Sequence, residues 1–87
     1  MNEVRILLIE SIGWVIARVG ENLNGGYKLE NPVLLNLTPQ GIMMMPFLKA
    51  LSKDTEMELK ADKILANVTP LPEIEKQYIE VSTEIIV

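Results

Sequence analysis

Hydrophobic positions along this chain fall in short runs, and the polar turns between them set the elements. Residues 4–9 are a compact apolar run with one arginine, rich in Ile and Val and too short for a stable helix, which predicts a strand. After the turn Glu10-Ser11-Ile12-Gly13, residues 14–19 are aromatic and β-branched and predict a second strand. Asn24-Gly25 is a hairpin signal, because both residue types tolerate positive φ. A third strand follows over 27–37. Its Pro32 lacks an N–H, so it demands a bulge or an unpaired edge at that point. Thr38-Pro39-Gln40-Gly41 turns the chain into a fourth strand over 42–48, interrupted by Pro46. Residues 56–60 alternate polar and apolar, as a strand with one wet face does, and 64–68 close the sheet region. From Pro72 the period changes. Ile74, Tyr78, Val81 and Ile85 recur at helical spacing, Pro72 suits the first helical position, and acids cluster in the first turn.

This order predicts a mostly β protein: a small, strongly bent open barrel of five or six short strands over residues 1–71, with a C-terminal helix over 72–87 as part of the same domain. An open barrel keeps edge strands that need covering. The methionine-rich run over 42–48 reads as such an edge, and pairing with another subunit would satisfy its backbone and bury its side chains.

Composition sharpens that expectation. At 87 residues the chain is one domain, and a domain this small buries only about 60–65% of its unfolded surface. Yet 48% of the residues are hydrophobic and mean hydropathy is +0.21, which predicts that the apolar surplus is buried against another subunit. The lack of cysteine rules out disulfides, and the lack of histidine removes the usual metal ligand and general base. No apolar run reaches the ~18 residues of a membrane span, and the first residues lack the basic region of a signal peptide. The expectation is a soluble cytoplasmic protein. Ser11, Ser52 and Ser82 sit in no nucleophile motif, and Gly25-Gly26 is a hairpin turn rather than a phosphate loop. The reading is a non-enzyme with no cofactor and no metal. Net charge is −4, and most of the excess lies in Glu73, Glu75, Glu80 and Glu84, opposed there only by Lys76.

Two stretches carry a family resemblance. Gly13-Trp14-Val15-Ile16-Ala17-Arg18-Val19 and Leu29-Glu30-Asn31-Pro32-Val33 resemble the two ends of the first motif of the Sm-like family. Leu59-Lys60-Ala61-Asp62, followed by Ile64-Leu65-Ala66-Asn67-Val68 and Pro70, resembles its second motif. Lys60 and Ala61 stand where the family has arginine and glycine. The loop over 20–26 lacks the aspartate-aromatic-asparagine set with which the family grips a base, and the family's N-terminal helix is missing.

The resemblance implies a five-stranded bent barrel that assembles into a closed homo-oligomeric ring of about five to seven subunits. It implies that the turn of Lys60, Ala61, Asp62 and Lys63 lines the pore, where ring symmetry would concentrate lysine around a single-stranded RNA. Asn24 and Tyr27, at the hairpin, are candidates for reading and stacking a base. The acidic helix is expected to splay away from that face. The ring contact falls to Ile42, Met43, Met44, Met45 and Phe47 of the fourth strand, paired with Ile64, Leu65, Ala66 and Val68 of the last strand of a neighbour. Against the RNA-binding ring stands a structural or protein-interaction ring without nucleic acid, which the net acidity and the missing base-gripping residues favour. Plainer roles also exist for these residues: a solvated turn for the lysines, a turn-former for Asn24, packing for the methionines, and a core or interface anchor for Trp14.

Overall fold

A computed structural model of the protein describes residues 3–21 and 25–86. In chain order the elements are β1 (Glu3–Ile9), β2 (Gly13–Glu21), β3 (Gly26–Thr38), β4 (Gly41–Met45), a single helical turn α1 (Leu48–Leu51), β5 (Glu56–Lys60), a 3-10 turn (Ala61–Lys63), β6 (Ile64–Val68) and α2 (Pro72–Ile86). All strand pairs are antiparallel, in the order β4-β3-β2-β1-β6, and β5 also pairs β3. The protein is therefore mostly β, a small bent open barrel with a C-terminal helix, as the hydrophobic pattern predicts.

The pleat divides the apolar residues into two layers. Leu7, Ile9, Val15, Ala17, Val19 and Leu29 point into the concave side and form the inner core. Val4, Ile16 and Val33 point outward, where Tyr78, Ile74 and Val81 of α2 cover them. The helix lies on the outer face of the sheet, packed on β1, β2 and β3. The expected fourth helical contact, Ile85, falls outside the described side chains.

Pro32 sits at the expected bulge. Ile16 pairs with Val33 and Arg18 with Glu30, so the single residue Ala17 spans both Asn31 and Pro32. Asn31 adopts φ of 49°, a left-handed conformation that asparagine tolerates, and its N–H donates to the Thr55 carbonyl at 2.7 Å. The bulge splits β3 into two halves. The first pairs β5 and the second pairs β4, in tandem along one edge.

The fourth strand is shorter than expected, ending at Met45 rather than running to residue 48. Pro46 cannot donate to a ladder, and Phe47 turns inward against the inner core. The chain then makes the α1 turn, with Ser52 N–H donating to the Leu48 carbonyl at 2.8 Å, before returning as β5. Among the described residues no helix is long and apolar enough to cross a membrane.

The buried Tyr78 hydroxyl ties α2 to the bulge, lying 2.8 Å from the Asn31 carbonyl oxygen and 3.0 Å from that of Glu30. Burial pushes its pKa from 10.0 up to about 12, against the opposing pull of Arg18. An acid held neutral by the fold contributes stability that is present below pH 10 and lost as pH rises towards 12. Tyr78→Phe should cost about 1–2 kcal/mol by removing the hydroxyl donor from the part-buried carbonyls at the bulge, read from urea midpoints at neutral pH. The wild-type midpoint should fall between pH 10 and 12 more than that of the variant; equal slopes would show that Tyr78 is not the group responsible.

Candidate functional site: the lysine turn and the open edges

The 3-10 turn carries the chain from β5, on the β3 edge, across the mouth of the barrel to β6, on the β1 edge. A sharp turn is needed because the two strands belong to different ends of the sheet. Opposite it lies the start of β3. Gly26 pairs with Lys60, and a Cβ built at Gly26 would stand 2.5 Å from the Leu59 carbonyl oxygen, so only glycine fits there. Between the two segments is a cleft of about 640 Å³, lined by Gly25, Gly26, Leu59, Lys60, Ala61 and Asp62, together with Glu58.

The structure thus brings Lys60, Ala61 and Asp62 together and separates them from the other candidates. Lys63 points away and forms an exposed ion pair with Glu10 at 3.4 Å, beside the bond from Glu10 N–H to the Lys63 carbonyl at 2.9 Å. Tyr27 packs its ring against the inner core and lines a second cleft, of about 520 Å³, with Arg5, Glu3, Glu21 and Asn67. It is not an exposed stacking platform beside the lysines. Asn24 lies outside the described residues. The cleft beside Lys60 therefore holds one lysine against Glu58 and Asp62, rather than a concentration of positive charge.

Arg5 escaped the sequence reading. Its Nε donates to Asn67 Oδ1 at 2.7 Å, its Nη1 to Thr69 Oγ1 at 2.7 Å, and its Nη2 to the Asn67 carbonyl at 3.4 Å, which fastens the end of β6 to β1. The available signal was a lone arginine in step with the inward-facing Leu7 and Ile9.

Three strands, β4, β5 and β6, each pair on one side only among the described residues. Their free edges differ in kind. β5 is guarded by exposed Glu56, Glu58 and Lys60, the usual defence of an edge strand. β4 and β6 have no such guard: residues 31–48 and 64–72 contain no charged side chain. Met43 is 53% exposed, Met45 48% and Leu65 62%, and Val68 is exposed as well. The remaining residues assigned to the ring contact are less available. Met44 packs in the outer core, Phe47 and Ile64 pack in the inner core, and Ile42 and Ala66 are half-buried. Trp14 is partly exposed on the outer face, opposite Leu8.

The fold and these edges define a small open β-barrel whose sheet ends in two unguarded apolar strands. The chain belongs to a family of unknown function, DUF6561, whose model matches residues 2–83. No curated protein matches it.

Gly26 supplies a direct test of the cleft. Gly26→Ala should lower stability by about 1–3 kcal/mol in urea, because backbone rather than a flexible side chain blocks the new methyl group. An unchanged midpoint would mean that β5 can move off β3 at no cost.

Proposed function

We propose that the chain is the protomer of a non-catalytic homo-oligomeric ring of the Sm-like kind, in which β4 of one copy pairs with β6 of the next. The observation that supports it most is that these two strands end the sheet and are its two uncharged, apolar, unpaired edges. A contact between unlike surfaces of this kind closes into a ring when the rotation fits. Fully burying a side chain the size of Met or Leu contributes about 1.5–3 kcal/mol, so Met43, Met45, Leu65 and Val68 together offer a strong contact. The role we assign is that of a scaffold or protein-interaction ring, in the cytoplasm. The sequence has no histidine or cysteine to serve as base or nucleophile, in keeping with a non-enzyme.

Binding of single-stranded RNA is the second reading. What favours it is the exposed Lys60, set on the turn that resembles the family's second motif and facing the hairpin glycines across one cleft. What weighs against it is that symmetry would multiply Glu58 and Asp62 along with Lys60, and that Lys63 is paired with Glu10.

Light scattering after size exclusion should show a closed oligomer at micromolar concentration. Met43→Glu and Leu65→Glu, which alter exposed edge positions, should each give a folded monomer or small fragments, whereas Lys60→Gln on the charged β5 edge should assemble normally. A monomeric wild-type protein would sink the ring. Fluorescence polarisation with short U-rich and A-rich RNA at two salt concentrations separates the two roles. The scaffold reading expects no salt-dependent binding. A slope of roughly −0.7 per phosphate neutralised, flattened by Lys60→Gln, would establish the RNA reading instead.

A further inference from the structure

We infer a specific register and a second contact between copies: the β3–β4 hairpin tip of one copy seats in the groove between the end of β6 and α2 of the next. This rests on the ring proposed above. The faces of the strands restrict the register. Ile6 pairs with Val68 and Leu8 with Ala66, so Ala66 and Val68 share the outer face with Ile6. Leu35 pairs with Met44 and Leu37 with Ile42, which places Met44 and Ile42 on the outer face too, since Leu35 and Met44 pack in the outer core. A continuous sheet keeps outer residues opposite outer residues, because a slip of one residue reverses every side chain.

Charge then selects the direction. Run antiparallel, Met44 lies opposite Ala66 and Ile42 opposite Val68, and the uncharged hairpin tip over 37–42 reaches the uncharged segment that follows β6. Run parallel, the same tip would abut Lys60, Asp62 and Lys63. The antiparallel arrangement therefore keeps charge away from the hairpin tip and sets Met44 and Ile42 against apolar residues, with Met43 opposite Asn67; it also brings Met45 beside Leu65, both exposed in the protomer.

Beyond Val68 the antiparallel register carries the hairpin tip past Thr69 and Pro70. There the molecule holds a groove of about 590 Å³ lined by Thr69, Pro70, Pro72, Lys76 and Ile79, with Glu75 and Glu80 along its α2 side. Apolar surface is exposed around it: Leu71 is 64% exposed, and Ile79 also reaches solvent. The hairpin tip has the complementary surplus, for Leu37 is 74% exposed on the outer face, the same layer in which α2 lies. The tip carries no charge to be desolvated against Glu75 or Glu80.

The absence of cysteine allows a direct test by engineered disulfides. Ile42→Cys with Val68→Cys in one full-length chain should give, on mild oxidation, a ladder of covalent multimers ending at the closed ring. Ile42→Cys with Ala66→Cys, the pair that a parallel arrangement would bring together, should cross-link several-fold less. The opposite ranking, or no ladder from either pair in an oligomer that is otherwise intact, overturns the register. Leu37→Asp and Ile79→Asp should each raise the concentration needed for assembly by at least about tenfold, with circular dichroism showing the fold retained. If both assemble like the wild type while the Ile42–Val68 ladder persists, the hairpin-in-groove contact is wrong. If the wild type itself is a monomer, the ring reading has failed rather than this contact alone.

Discussion

The kink at Asn31-Pro32 is the point on which the rest of the molecule depends. One residue of β2 spans two of β3 there, and Asn31 takes a left-handed conformation. The bulge lies beside the inner core and presents the Glu30 and Asn31 carbonyls to the Tyr78 hydroxyl. The Asn31 N–H reaches across to Thr55, just before β5 begins. A single irregularity thus bends the barrel, seats the C-terminal helix and sets where the tandem strands β4 and β5 meet.

Much of this was legible along the chain, for identifiable reasons. Pro32 cannot donate to a ladder, so the bulge announced itself. The change of period at Pro72 announced α2, and Tyr78 sat on its apolar stripe. The turns at Gly13 and Gly41 adopt the positive φ that glycine permits. The break after Met45 was less visible, because Phe47 and Leu48 continue the apolar run and only the return to the inner core explains why they leave the strand. The site was harder to read. Proximity in sequence grouped Lys60 with Lys63, but Lys60 is still extended at the end of β5 while Lys63 closes the 3-10 turn and lies beside Glu10. Tyr27 began a strand as expected, yet pleat parity turned its ring to the interior. Which face a residue takes depends on pairings that lie far away along the chain, as Arg5 shows by reaching Asn67 and Thr69.

The three open edges show how charge and shape divide the labour of keeping a small sheet protein from sticking at random. β5 is protected by its own side chains. Protection of β4 and β6 by charge would spoil any strand-to-strand contact, since a buried unpaired charge is expensive. In the proposed ring, their lack of charge is what lets neighbouring copies cover them. The proposed contact would also account for the surplus of apolar residues in so short a chain, of which the inner and outer cores take only part.

Because the two uncovered strands are different from one another, the protomer has a direction. In the proposed ring, two copies joined through β4 and β6 would still present one of each, so a pair would not be a finished object and growth would continue until the arc returned on itself. Direction also governs how damage spreads. A copy spoiled on one strand remains sticky on the other, so it joins an arc and ends it there. In a mixture, a small fraction of such copies leaves most arcs unclosed, whereas a copy spoiled on both strands simply drops out. A ring built this way would be exposed to dominant interference by its own half-competent variants, a vulnerability that a symmetric, self-complementary pairing surface would not carry.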